Sequence, residues 1–165
     1  MSGADHKKIK PRSPSDYLAV MSRAVYQAGV SWAMIDRQWP ALCGAFQQFD
    51  AKKIARYKDR DVRRIMAHPD ILHSERKIRA TIHNAQTLLE LDRKHRGLRK
   101  YLRSFGSYEE LVADIRRRFK SVGDISAYYL LFRTGEKVPS FERWIRSVQG
   151  DHPRIREMVA AARKA

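Results

Sequence analysis

The chain has 165 residues, with 34 Lys and Arg against 18 Asp and Glu, a formal charge of +16. A hydrophobic share of 43% exceeds that of a disordered basic tail, so one domain with its own core is expected. The single cysteine excludes an internal disulfide and a thiolate zinc cluster, and the lack of an apolar run of about 18 residues excludes a membrane-spanning helix. Residues 1–12, with Lys7, Lys8, Lys10 and Arg12, read as a flexible basic arm, and their lack of an apolar stretch argues against a secretory signal. One domain is expected over 13–165. Ser13-Pro14-Ser15-Asp16 opens a first helix whose apolar face is Leu18, Met21, Val25, Ala28 and Trp32, at alternating spacings of three and four. A second helix is expected over 35–46, with Trp39, Leu42 and Phe46 inward. Asp50 and Asp59 suit the N-caps of two short helices, and His68-Pro69-Asp70 is a breaker. Ser74 leads a long helix with Ile78, Ile82, Ala85 and Leu89 inward, ending near Gly97. A basic connection runs on to Ser104-Phe105-Gly106. Ser107 and Glu110 fit a capping box, and the helix they open carries Leu111, Ile115 and Phe119. A turn over 120–124 precedes a helix over 125–132. Pro139-Ser140 starts another with Phe141, Trp144, Ile145 and Val148, and Asp151-His152-Pro153 starts the last. No segment alternates with period two, so the fold class is all-α, with about eight to ten mostly short helices.

The charge points to a polyanionic partner, since self-repulsion of this size is costly in a small domain. It is concentrated: residues 93–120 hold ten basic residues against three acidic ones. Lys52, Lys53, Arg56, Lys58, Arg60, Arg63 and Arg64 form a second basic stretch. A merely solvated basic surface is the plainer alternative. Between Phe119 and Ala127 two helices meet at a tight turn, and the second begins with its backbone N–H groups free, which makes a phosphate seat. The pattern resembles the second half of a helix–hairpin–helix motif, placed at about 108–134. Lys120, Ser121, Val122 and Gly123 would hold a DNA phosphate, with Arg116, Arg117 and Arg118 adding charge. Ser121 stands where that motif often has glycine, and Asp124 adds a negative charge, so a plain helical corner capped by Asp124 is the alternative. Trp32 reads on spacing alone as core, and otherwise as a stacking platform for a base. The six histidines form no metal-ligand spacing, Cys43 sits at an apolar helical position, and no glycine-rich phosphate loop is present.

Taken in order, several segments resemble one family. Gln27-Ala28-Gly29-Val30-Ser31-Trp32 is similar to the Q-A-G-L-S-W signature of the DNA-3-methyladenine glycosylase I family. Ala45-Phe46, Phe49-Asp50, Lys53-Ile54-Ala55, Asp61-Val62 and Ile71-Leu72 follow in register. Lys77-Ile78, Ala80, Ile82 and Asn84-Ala85 are close to its K-I-x-A-x-I-x-N-A, and Phe119-Lys120 with Val122-Gly123 resembles its F-K-F-V-G. The resemblance implies a two-lobed, helix–hairpin–helix glycosylase fold that holds double-stranded DNA and extrudes a damaged nucleotide. It implies excision of an alkylated purine such as 3-methyladenine by N-glycosidic hydrolysis, a step of base-excision repair. Trp32 matches the family's stacking tryptophan, with Tyr26 and Gln27 expected beside it. The sequence departs from the family at its base-reading glutamate, eight residues before the tryptophan, where Ala24 stands, and at its zinc ligands, where Ser140 or a neighbour stands near the expected histidine and no cysteine follows. No metal and no cofactor are therefore expected. No catalytic residue is assigned, and Asp36, Glu75 and Asp124 are candidate substitutes for the missing carboxylate. A non-catalytic DNA-binding descendant of the same fold is the second expectation, and a basic RNA-binding or nucleoid-like protein the third. A cytoplasmic protein without membrane contact is expected from the single cysteine and the lack of a signal or spanning stretch, and a monomer because no heptad repeat is sustained.

Overall fold

The computed structural model describes residues 7–148. Among them the regular structure is entirely helical: α1 (Pro14–Gln27), α2 (Trp32–Ala45), a one-turn 3-10 segment (Gln47–Phe49), α3 (Ala51–Ile54), α4 (Asp59–Met66), α5 (Glu75–His95), α6 (Leu98–Leu102), α7 (Tyr108–Arg118), α8 (Asp124–Arg133) and α9 (Phe141–Ser147). Pro14 presets the first turn of α1, and Arg12 N–H donates to Asp16 Oδ2 at 2.8 Å. The helix is buried over nearly all its length and packs against both α5 and α8, so it is the central rod of the domain. It stops at Gln27 because Gly29 takes a φ of 86°, a conformation that costs glycine little. Ser31 Oγ then accepts from Met34 N–H at 3.2 Å and starts α2 three residues before the expected boundary. Trp32 thus belongs to the first turn of α2 and does not end the stripe of α1.

Asp50 caps α3 as expected, accepting from Lys53 N–H at 3.1 Å. Asp59 does not cap α4. It is the first helical residue, Lys58 holds the cap position, and Asp61 Oδ2 reaches back to Lys58 N–H at 2.8 Å. Ser107 Oγ accepts from Glu110 N–H at 3.2 Å, and Glu110 Oε2 satisfies the N–H of Gly106, one residue earlier than a capping box requires. The basic connection after α5 contains a helix of its own, α6, whose Leu98, Tyr101 and Leu102 are buried. That apolar triplet was the sequence signal, and the cations between its members masked it. Gly123 occupies the cap of α8 and Asp124 is its first residue. The helix expected from 151 lies outside the described residues.

One continuous hydrophobic core runs through α1–α8, and a small satellite of Ile125, Tyr128 and Trp144 closes α9 onto α8. Within the stretch read as a flexible arm, residues 1–6 lie outside the described residues and 7–12 are anchored. Ile9 N–H donates to Arg133 O at 2.7 Å and Arg133 Nε donates to Lys7 O at 2.6 Å. These bonds tie down the C-terminal end of α8, whose last carbonyls lack helical partners, while Ile9 packs on the core.

Candidate functional site

The turn between α7 and α8 is built from outside itself. Asn84 on α5 grips the backbone of Lys120 twice, its Nδ2 donating to Lys120 O at 3.0 Å and its Oδ1 accepting from Lys120 N–H at 2.8 Å. One residue earlier on α5, His83 Nε2 donates to Arg118 O at 2.9 Å. The chain then turns through Ser121 at a φ of 58°, a left-handed conformation costing a non-glycine residue on the order of 1 kcal/mol. Ser121 therefore does the conformational work of the glycine it replaces. The N–H groups of Val122 and Gly123 take no partner from the described residues, and a Cβ on Gly123 would meet nothing within 4 Å. An open cleft of about 390 Å³ adjoins them, lined also by Arg76, Lys77, Lys120 and by Val25 and Ala28 of the α1 end. Lys77 is buried, and its ammonium donates to Tyr26 O at 3.2 Å and Ala28 O at 2.7 Å, closing carbonyls at the end of α1.

The arginine triplet divides. Arg116 and Arg117 line the cleft, but Arg116 Nη1 pairs with Asp124 Oδ1 at 3.0 Å and Arg117 pairs with Asp114. Arg118 turns to Asp114, Nε to Oδ2 at 2.7 Å, and does not line the cleft. Burial alone would raise the pKa of Asp114, but hydrogen bonds from Arg118, Tyr101 and Arg117 outweigh it and hold the carboxyl below its ordinary value. Arg76 and Lys120 have no carboxylate partner among the described residues. They, with free amides, are the groups left to meet an anion. Arg76, Lys77, His83 and Asn84 had no assigned role from the sequence. Spacing along α5 places Lys77 and Asn84 two turns apart on one face, but only the turn they meet shows what they hold. Asn84→Ala is expected to weaken duplex affinity about tenfold, or roughly 1.4 kcal/mol, in fluorescence anisotropy at fixed salt. Unchanged affinity would remove the turn as an anion seat.

The residues expected around a base lie one layer deeper. Tyr26 and Gln27 are completely buried and Trp32 is 7% exposed, its ring 6.3 Å from that of Tyr129. None of the three lines the cleft at the turn. Both amide atoms of Gln27 are buried without a hydrogen-bond partner. Burial pushes the Tyr26 phenol well above its ordinary range, against a smaller opposing contribution from Thr81. The candidate carboxylates are dispersed, each against an arginine. Asp36 pairs with the buried Arg23, whose guanidinium lies 4.9 Å from the Trp39 ring centre. Glu75 pairs with Arg79 at 2.8 Å, and Asp124 with Arg116. Only Asp36 shares a helix face with Trp32, four residues on. Ser140, where the resemblance expects a histidine ligand, caps α9 by accepting from Arg143 N–H at 3.3 Å. Among the described residues, no three His, Cys, Asp or Glu side chains are grouped to hold a metal ion, and no helix is long and apolar enough to cross a membrane.

An all-helical domain with an electropositive interhelical turn beside a buried aromatic and amide cluster is the class that fold and site define. The chain belongs to the methyladenine glycosylase family, whose model matches residues 13–128. It is 28% identical over 89 residues to a DNA-3-methyladenine glycosylase of Haemophilus influenzae, covering 54% of this chain and 48% of that protein. It is 29% identical over 86 residues to DNA-3-methyladenine glycosylase 1 of Escherichia coli, covering 52% and 46%. The chain thus matches about half the length of these curated relatives. Its fold is similar to a mutant 3-methyladenine DNA glycosylase I from Staphylococcus aureus, with a TM-score of 0.68, 21% identity, and coverage of 80% of this chain and 83% of that one. A second 3-methyladenine DNA glycosylase I structure gives 0.66 at 22% identity, covering 77% and 81%.

Proposed function

We propose that this protein is a base-excision repair glycosylase that hydrolyses the N-glycosidic bond of an alkylated purine in double-stranded DNA. The single observation that carries this reading is the cleft joining Arg76, Lys120 and the Val122 and Gly123 amides to the end of α1. The segment 27–32 follows at once, so a phosphate seat and a base site adjoin. In this reading α7, the turn and α8 are a helix–hairpin–helix motif. Its free amides and cations seat a phosphate, and the nucleotide rotates inward toward Trp32. The indole stacks on the base, and its electron-rich face favours a cationic purine. Such a base leaves with the bonding electron pair and becomes neutral, so no proton has to be supplied to it. Water adds its oxygen to the sugar C1′ and gives up a proton. Asp36 is the carboxylate best placed to take that proton, once separated from Arg23. The protein's share of the chemistry is then mainly selection and positioning. The base enters by displacement of the 28–31 connection, where Gly29 permits the backbone change. The chain acts as an intracellular monomer.

A second reading is a non-catalytic duplex binder, and two observations favour it. Ala24 stands in place of the base-reading glutamate, and Trp32 lies buried against Tyr129. Incubation with methylated DNA followed by chromatography of the released bases separates the two. The first reading expects free 3-methyladenine in excess of spontaneous loss. Duplex binding with no release over a panel of alkylated purines leaves the second.

A further inference from the structure

The proposed phosphate seat leaves most of the molecule's unneutralised charge unused. Arg116, Arg117 and Arg118 are all ion-paired. At the other end of α5 the opposite holds. Arg93, Lys94, Arg96 and Lys100 are exposed and have no carboxylate partner among the described residues. Their neighbours Arg99 and Arg103 are partly engaged by Glu136, at 3.9 and 2.9 Å. The distance between the two regions follows from the helix. Arg76 and Arg93 lie 17 residues apart in α5 (Glu75–His95), which at about 1.5 Å per residue separates them by roughly 25 Å.

Cations in the last turn of α5 suit its negative end, and that accounts for Arg93 and Lys94. It does not account for Arg96 or Lys100. Arg96 ends α5 in the left-handed region, φ 54° and ψ 44°, at a position where glycine or asparagine is the favoured residue. Gly97 follows at a φ of 128° and α6 begins, carrying Lys100 outward while Leu98, Tyr101 and Leu102 pack inward. The chain thus accepts a strained backbone to hold a guanidinium at a corner where it has no hydrogen-bond or ion-pair partner among the described residues. No apolar side chain is exposed between these cations, which fits a phosphate backbone rather than a membrane surface.

We infer that the α5–α6 corner is a second DNA-binding surface, which takes the backbone of another duplex while the α7–α8 turn holds the first. One chain then bridges two duplexes. This rests on the turn being a duplex site, the reading proposed above, but not on base excision.

The test is capture of a labelled 20-base-pair duplex by a different, immobilised duplex of the same length through the full chain, together with the binding stoichiometry. Bridging and two duplexes per chain are expected. The variant Arg93→Glu, Lys94→Glu, Arg96→Glu, Lys100→Glu should cut capture at least tenfold while single-duplex affinity changes by only a few-fold, and should lower the second site's salt slope by about 3 to 4. Arg96→Gly relieves the strained corner, so it should fold at least as well as the parent and still lose part of the capture. The reciprocal variant Arg76→Glu, Lys120→Glu should spare binding at the corner. One duplex per chain, capture untouched by the corner variants, or association of the corner with anionic phospholipid vesicles in place of DNA would each overturn the proposal. Absence of base release by the parent with bridging intact would overturn only the excision reading.

Discussion

Gln27→Met is expected to make the folded chain more stable and the protein less active. The Gln27 side chain is completely buried, and neither amide oxygen nor amide nitrogen has a hydrogen-bond partner. A polar group taken from water without compensation costs about 1–3 kcal/mol, and a thioether of similar length and volume does not incur that cost. The denaturant midpoint should therefore rise by an amount equivalent to about 1–3 kcal/mol, with an unchanged slope. Release of alkylated base should fall at least tenfold. An amide offers one donor and one acceptor side by side, which suits the edge of a purine. With Ala24 in place of a glutamate, Gln27 is the neutral polar group nearest in sequence to Trp32 that is both buried and unbonded. A variant that is less stable than the parent would mean that the amide is satisfied in solution and is not held in reserve for a base.

The helical class was readable because the apolar positions recur at three and four residues through α1, α5 and α7. Serine caps at 31, 74, 107 and 140 each engage a backbone N–H of the first turn. Where spacing and composition disagreed, composition misled. Leu98, Tyr101 and Leu102 form a helical triplet, but three cations lie among residues 99–103 and the segment looked like a solvated link. Trp32 continues the numerical rhythm of α1, and a rhythm of three and four carries no mark of where one helix stops. Gly29 and the cap at Ser31 supply that mark, and both were visible as residue types before their conformations were known.

The site was legible in kind and not in pairing. The turn over 119–123 could be located because glycine and a following helix start stand together. Nothing in the order of residues reveals that Asp114 takes both Arg117 and Arg118, or that Asp124 takes Arg116. Those pairs depend on which way α7 faces when it packs on α6 and α8. The same holds for Lys77. A lysine in a helix first turn reads as exposed, and only the end of α1 packed beside it supplies the carbonyls that make its burial tolerable.

Trp32→Phe should separate excision from binding more sharply than any other single change. The indole is 7% exposed and in contact with Tyr129, so truncation to alanine would leave a cavity costing about 3–5 kcal/mol and would confuse lost function with lost fold. Phenylalanine keeps most of the apolar volume and an aromatic face toward Tyr129. It gives up the larger, more electron-rich ring, whose attraction for a desolvated cation is worth about 2 kcal/mol or more. If the buried ring becomes the stacking face for a cationic purine, release of 3-methyladenine should fall by between tenfold and a hundredfold. Affinity for undamaged duplex, which the proposed function assigns to the α7–α8 turn, should stay within about twofold. An equal loss of both would place Trp32 among the residues that merely support the turn. Wild-type release from a stably folded variant would show that the base is held elsewhere. The ring is 7% exposed in the free chain, so if the 28–31 connection opens before stacking, as proposed, the fall should appear in the rate at saturating DNA as well as in its concentration dependence.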